Sequence, residues 1–273
     1  MATNSILCNL NSEDMISTIK LEMGADINRE KVFVVVEGVD DEKFFKYFLK
    51  QNVSICESYS GKKGIKEILE HFPNIKNIIG IRDRDYENKK LDKRILFYDF
   101  CNIEMMLINN DETFERVFCE YYNGENEMIA LRNFILNNLI MISNLRKINE
   151  EKMKMWKFNG VNYIICINED NTLDNEKILL ELLRINPTYS KEDFLEELEV
   201  KDSYTYNELL QITNGHDFVS LFWIYCKKSG TRNLSIKSLT ESIRCAFGRK
   251  NFEETQLYND LLKYQNVNRL KII

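Results

Sequence analysis

The sequence predicts an α/β fold, a parallel sheet with flanking helices followed by a mostly helical C-terminal lobe. Three observations carry this expectation. Residues 32–36 (VFVVV) and 78–81 (IIGI) are unbroken apolar runs, the pattern of strands buried on both faces. Such runs alternate with stretches of helical periodicity, the order that builds parallel strands joined by right-handed crossovers. With 2 prolines and 10 glycines in 273 residues, punctuation is too sparse for a turn-rich β protein.

Taken in order, residues 32–37 read as a first strand and 40–51 as a helix with Phe44, Phe45, Tyr47 and Phe48 on its apolar side. VSICE (53–57) is a second strand. SGKKGIKEILEHF (60–72) opens on a Ser and a Gly suited to a helix start and continues as a helix. Residues 76–82 form a third strand and RILFYDF (94–100) a fourth. Beyond about residue 102 the spacing becomes helical, in IEMMLI, ETFERVFCEYY and ENEMIALRNFILNNLIMISNLRKI. One further strand is expected at 161–167 (VNYIICI), in the main sheet or in a small hairpin, and later helices at 174–185, 190–199, 216–228, 235–247 and 252–264. The expected division is a sheet domain over 1–110 and a helical lobe over 111–273, the lobe carrying docking and dimer surfaces.

Composition narrows the function classes. Hydrophobic residues make up 44% of the chain, enough for a packed core. No apolar stretch reaches the roughly 20 residues of a membrane span, and MATNSILCNLNSED has no basic segment leading into an apolar one, so neither a membrane anchor nor a signal peptide is expected. Seven cysteines (Cys8, Cys56, Cys101, Cys119, Cys166, Cys226, Cys245) form no CxxC, and two histidines supply no zinc pattern. Most read as small core residues of a reducing, cytoplasmic compartment. A net charge of −6 argues against a protein that coats nucleic acid, but residues 227–250 carry seven bases and one acid, against three bases and ten acids in 169–199. The basic segment suits a phosphate-facing surface and equally a solvated helix face.

The acids at strand ends carry the chemistry. Glu37-Gly38 ends the first strand, and Asp83 and Asp85 end the third. Ligands of parallel sheets gather at the carboxyl ends of strands. Carboxylates delivered to one edge repel one another unless a cation lies between them, and all-oxygen ligands suit Mg²⁺ or Mn²⁺. Asp40 and Asp41 fit the first turn of a helix, where negative charge is favoured. Capping is the better reading for Asp40, and for Asp41 capping and metal ligation stand level. Three strand-end acids finishing independent runs favour function for Glu37, Asp83 and Asp85.

The ordered combination of an apolar strand, Glu37-Gly38, Asp41 and then a strand ending in Asp83-x-Asp85 resembles the Toprim domain of topoisomerases, primases and OLD-family nucleases, over roughly residues 30–110. NIEMML (102–107), NGHDFVSL (214–221), SLTESIRCAF (238–247) and TQLYNDL (255–261) extend the likeness to a Toprim-like family known only as a domain of unknown function, whose members include the nuclease effectors of PARIS-type anti-phage systems. The resemblance implies a Rossmann-like Toprim sheet, metal-dependent cleavage of DNA or RNA, an ABC-type ATPase partner and a possible homodimer. It implies Glu37, Asp83, Asp85 and Lys63 as catalytic residues, with Glu37, Asp41, Asp83, Asp85 and Glu104 around Mg²⁺ or Mn²⁺. Lys63 enters because Toprim nucleases often carry a Gly-Lys pair in this loop, and Glu104 because it matches a family acid after the fourth strand.

Other signals are weaker. GKKG at 61–64 lacks the spacing of a P-loop, although a lysine at a helix start can hold a phosphate. His216-Asp217 looks like a metal-binding pair, but His71 is the only other histidine, and helix capping is the better reading. Arg244, Arg249 and Lys250 suit nucleic-acid contact or a charged surface, and Tyr258 reads as core. A topoisomerase needs a nucleophilic tyrosine in a further DNA-binding domain, and a primase a zinc module. A haloacid-type phosphatase has its Asp-x-Asp after the first strand. A metal-dependent nuclease is therefore the leading expectation, and a catalytically weak, ATPase-regulated binding subunit the alternative.

Overall fold

The computed structural model describes residues 10–87, 92–196, 198, 201 and 203–273. In chain order the elements are α1 (Ser12–Ala25), β1 (Val32–Val36), α2 (Val39–Phe48), β2 (Val53–Glu57), α3 (Gly61–His71), β3 (Ile78–Arg82), β4 (Ile95–Phe97), α4 (Ile103–Asn109), α5 (Asp111–Tyr121), α6 (Met128–Asn138) and α7 (Ile140–Glu151). They continue with α8 (Tyr163–Cys166), α9 (Asn175–Ile185), α10 (Lys191–Leu195), α11 (Tyr206–Ile212), α12 (Gly215–Lys228), α13 (Ile236–Ala246), α14 (Arg249–Glu253) and α15 (Gln256–Asn268). Contacts divide the chain into two units, the described residues up to Asp99 together with Arg249–Ile273, and Phe100–Gly248.

The first unit is built on a four-stranded, all-parallel sheet in the order β2-β1-β3-β4. The apolar runs at β1 and β3 are buried throughout, as strands covered on both faces require. Phe33 and Val35 of β1 point to one face, into a core with Ile19 of α1, Ile65, Ile68 and Leu69 of α3, and Ile78, Ile95 and Phe97. Alternation turns Val34 and Val36 the other way. A second core is aromatic: Phe44, Phe45 and Phe48 of α2 gather with Phe252 of α14, whose ring lies 4.5 Å from Phe48, and Tyr98 stacks on Phe45 at 6.0 Å.

The C-terminal segment departs from the expected division. A helical lobe running to residue 273 is corrected to one ending at Gly248, because Arg249–Ile273 belongs with the sheet. Arg249 donates to the carbonyls of Tyr47 and Phe48 at 2.9 Å, closing the end of α2. The Lys50 N–H donates to the Ile272 carbonyl, and α15 packs beside β4. The single helix expected at 252–264 is two, broken where the Thr255 hydroxyl accepts from the Tyr258 N–H and starts α15. Tyr258 is half-buried, edge-on to Phe252.

In the second unit the strand expected at 161–167 is a single helical turn, α8, with Ile167 making only an isolated bridge to Leu173. The Asn162 side chain accepts from the Ile164 N–H and starts the turn. Tyr163 and Cys166, three apart, are buried, while Ile164 and Ile165 are more than half exposed. A run of apolar residues in the sequence therefore conceals a helical period. The long run ENEMIALRNFILNNLIMISNLRKI bends by 51° between α6 and α7. Leu131, Ile135, Leu136, Ile142 and Leu145 of this run are buried in this unit, whereas Ile129 is more than half exposed. No single helix among the described residues is long and apolar enough to cross a membrane. Two helices, α1 and α11, have no counterpart in the sequence reading, and the one expected at 190–199 is the short α10, part of the remainder lying outside the described residues. Cys56, Cys101, Cys166 and Cys226 are buried, whereas Cys119 and Cys245 are exposed; Cys8 lies outside the described residues.

Candidate active site at the acidic sheet edge

In the order β2-β1-β3-β4 the chain leaves β1 toward one side of the sheet and returns to pair on the other. The carboxyl ends of β1 and β3 thus flank the topological switch point, where parallel sheets bind ligands. Glu37 follows β1 and Asp83 follows β3. The other two strands also finish in acids, β2 in Glu57 itself and β4 in Asp99 two residues on. Four strand ends therefore bring carboxylates to one edge, and their hydrogen bonds sort them into different jobs.

Glu37 and Asp83 meet directly. Glu37 Oε1 accepts from the Asp83 N–H at 3.0 Å. Its other oxygen faces the start of α3, 3.6 Å from where a Cβ on Gly61 would lie. Gly61 has φ +55°, a left-handed conformation that glycine adopts without strain. Burial pushes the Glu37 carboxyl up from 4.5 to about 7; the Asp83 N–H opposes the shift, Asp85 and Asp41 add to it, and Arg82 opposes it. Asp85 lies at φ +49°, two residues after Asp83. Its Oδ2 is 3.1 Å from Lys62 Nζ, on the first turn of α3.

Asp41, Asp99 and Glu57 have other work. Asp41 Oδ2 accepts from the Gly38 N–H at 3.0 Å and closes the start of α2. Asp41 Oδ1 accepts from the Tyr98 hydroxyl at 2.6 Å. Both oxygens are engaged, so the capping role holds Asp41. Asp40 lies 3.4 Å from Lys43 on the exposed side of α2. Asp99 accepts from the N–H groups of Gln256 and Leu257 and caps α15. Glu57 lies on the outermost strand, where burial, Glu42 and Asp41 raise its pKa. Arg82, the last residue of β3, is buried beneath this edge. It pairs with Glu87 at 2.5 Å and lies over the Phe97 ring, while its Nε and Nη1 have no hydrogen-bond partner among the described residues.

The lysine beside Asp85 is Lys62, one position before the expected Lys63. Lys63 is 81% exposed and lies 3.5 Å from Glu67, whereas Lys62 reaches the acids. Helical period could have found this: Lys62 shares the stripe of buried Ile65 and Leu69, three and seven residues on, and Lys63 shares the stripe of Glu67 and Glu70. Glu57 and Arg82 were also missed. Glu57 was legible as a strand-end acid, but nothing in the sequence marks Arg82 as buried.

Glu104 belongs to the second unit, on α4, where it is buried. His216 Nδ1 lies 3.6 Å from its Oε1. Gly215 lets α12 approach, because a Cβ there would sit 2.4 Å from Glu104 Cβ. Asn214, not Asp217, caps α12. Asp217 instead makes a two-pronged pair with Arg146 at 2.6 and 2.8 Å, almost wholly buried. Of the basic segment, Arg249 is committed to the end of α2.

Glu37, Asp83 and Asp85 offer only carboxylate oxygens, the donor chemistry of a hard divalent ion, and the charge of Asp85 adds to the burial that raises the Glu37 pKa. Among the described residues, however, no three His, Cys, Asp or Glu side chains are grouped as ligands. Asp85 would have to leave Lys62 to join them. The residues thus fit such an ion in the chemistry of their donor atoms. A cleft of about 770 Å³ lies at the opposite end of the sheet, between the segments leading into β3 and β4 and α15. Its Arg94 donates to the Leu69 and Phe72 carbonyls and to Asp92, closing the end of α3. No known family model matches the chain, and neither does any curated protein.

Proposed function

We propose that this chain is a Mg²⁺- or Mn²⁺-dependent phosphodiesterase that cleaves nucleic acid, built on a Toprim-like sheet. The observation that supports the reading best is the meeting of Glu37 with Asp83 at the switch point of a parallel sheet, Asp85 two residues on. Glu37, Asp83 and Asp85 would hold the ion, which when bound neutralises a phosphodiester and activates water. The Asp83 N–H fixes one oxygen of Glu37, so the other remains to take a proton or a ligand position. Lys62 stands on the same side, within reach of a phosphate at the α3 start. The family likeness of the sequence adds phage defence and an ABC-type ATPase partner to this proposal, with the second unit as docking surface.

The test is cleavage of single- and double-stranded DNA and of RNA with Mg²⁺ or Mn²⁺, in wild type and in Glu37→Gln and Asp83→Asn. Each variant should remain folded and lose cleavage. Full activity in the folded double variant would reject the assignment. One observation favours a second reading, a binding subunit without turnover: Asp85 is already neutralised by Lys62. That reading predicts co-purification with an ATPase and no metal-dependent cleavage by the pair.

A further inference from the structure

The ion pair between Lys62 and Asp85 bears on more than local stability. Lys62 sits on the first turn of α3, and its ammonium lies 3.1 Å from Asp85 Oδ2. Its stem runs along the half-buried side of the helix, with side-chain exposure of 37%, and the Asp85 side chain is 24% exposed. A pair this accessible contributes little to folding, on the order of 1 kcal/mol or less. Its position is what matters. Asp85 is one of three carboxylates at the switch point, and the start of α3 that carries Lys62 also touches Glu37 through Gly61. The loop between β2 and α3 is fixed, since the Ser58 hydroxyl donates to the Gly61 carbonyl at 2.8 Å and a Cβ on Gly64 would meet the Ser58 carbonyl at 2.7 Å. The backbone that carries the lysine is thus fixed, while its four-carbon stem stays free to turn.

We infer that Lys62 is a tethered cation that competes with the divalent ion for Asp85, and that ion binding releases it to the substrate phosphate. This inference rests on the proposed metal-dependent reading. The physical reason is charge exclusion. A divalent ion and an ammonium on one carboxylate repel each other, so each weakens the other's hold, and the ammonium is the partner on a flexible four-carbon stem. The same side chain then has two positions: on Asp85 without the ion, which limits crowding among the acids, and swung toward bound phosphate with it. Apparent metal affinity is lowered by the competition, and a substrate that attracts Lys62 should raise it, because binding of the two is then linked. Lys63, one residue on, points to Glu67 and can do neither.

The experiment is Mn²⁺ titration by electron paramagnetic resonance and by calorimetry, on wild type, Lys62→Met, Lys62→Arg and Lys63→Met. Removing a unit charge beside a divalent ion, through mostly aqueous surroundings, should tighten Mn²⁺ binding about tenfold in Lys62→Met. Lys62→Arg keeps the charge and should stay within about twofold of wild type, as should Lys63→Met. A short phosphodiester analogue such as a non-cleavable dinucleotide should tighten Mn²⁺ binding more in wild type than in Lys62→Met, since only wild type gains the release of the ammonium. Mn²⁺ binding by Lys62→Met alone, with none by wild type, would support the inference in its strongest form. Equal affinity in wild type and Lys62→Met would overturn it while leaving the metal-dependent reading in place. No Mn²⁺ binding in any of the four proteins would overturn both. All four proteins should share one circular-dichroism spectrum, since the exposed pair contributes little to the fold.

Discussion

Replacing Glu37 by Gln tests the acidic edge without reference to catalysis. The folded carboxyl titrates at about 7 against an ordinary 4.5, chiefly through burial. A folded-state pKa above the unfolded one means that the folded chain binds the proton more tightly. That stabilisation is full below about pH 4.5 and is lost as pH rises through about 7. A difference of about 2.5 units at about 1.4 kcal/mol each sets an upper bound of roughly 3 kcal/mol at pH 8. Gln carries no charge, and its amide oxygen can still accept from the Asp83 N–H, but burying the amide costs about 1 kcal/mol. Glu37→Gln should therefore be more stable than wild type by about 1–2 kcal/mol at pH 8 and less stable by about 1 kcal/mol at pH 4. Urea unfolding followed by circular dichroism, with EDTA present, measures both ends of the window. Saturating Mg²⁺ should then reverse the order at pH 8, because the ion stabilises only the protein that holds it. Stability curves of wild type and Glu37→Gln that run parallel from pH 4 to pH 8 would refute the placement of Glu37 in a buried, crowded acidic site.

Three further outcomes follow from other contacts. Tyr98→Phe removes the hydroxyl that donates to Asp41 Oδ1 and should destabilise the protein by about 2 kcal/mol in urea titration, with Mn²⁺ affinity unchanged, since Asp41 serves as a cap. Gly215→Ala places a Cβ 2.4 Å from Glu104 Cβ and 2.6 Å from Asn102 Oδ1; forcing α12 from α4 should cost about 1–3 kcal/mol, and a melting temperature equal to wild type would contradict that close approach. Asp217→Ala removes the carboxylate partner of Arg146 in a nearly dry site and should cost about 3–5 kcal/mol, whereas a loss under 1 kcal/mol would reduce the pair to a surface contact.

The sequence alone determined the strands and the acids at their ends. Strands covered on both faces must be apolar along their whole length, so β1 and β3 announced themselves, and with them the positions of Glu37, Asp83 and Asp85. Local rules also decided Asp40, whose place in a first turn needs no partner from elsewhere. Tertiary structure decided what each carboxylate does. Asp41 and Asp99 are acids at the same sheet edge, yet Tyr98 and Gly38 engage the first and the start of α15 the second. These partners are distant in sequence, so no local pattern could separate caps from candidate ligands. The strand expected at 161–167 failed for a related reason. A short apolar run fits either period, and the Asn162 cap with burial of Tyr163 and Cys166 selected the helical one. The return of Arg249–Ile273 to the sheet was equally hidden, since Phe252 finds its partners in α2, some two hundred residues earlier in the chain. Lys62 and Lys63 differ by one position in a run of like residues, and only the direction in which α3 faces the sheet gives Asp85 to the first and Glu67 to the second.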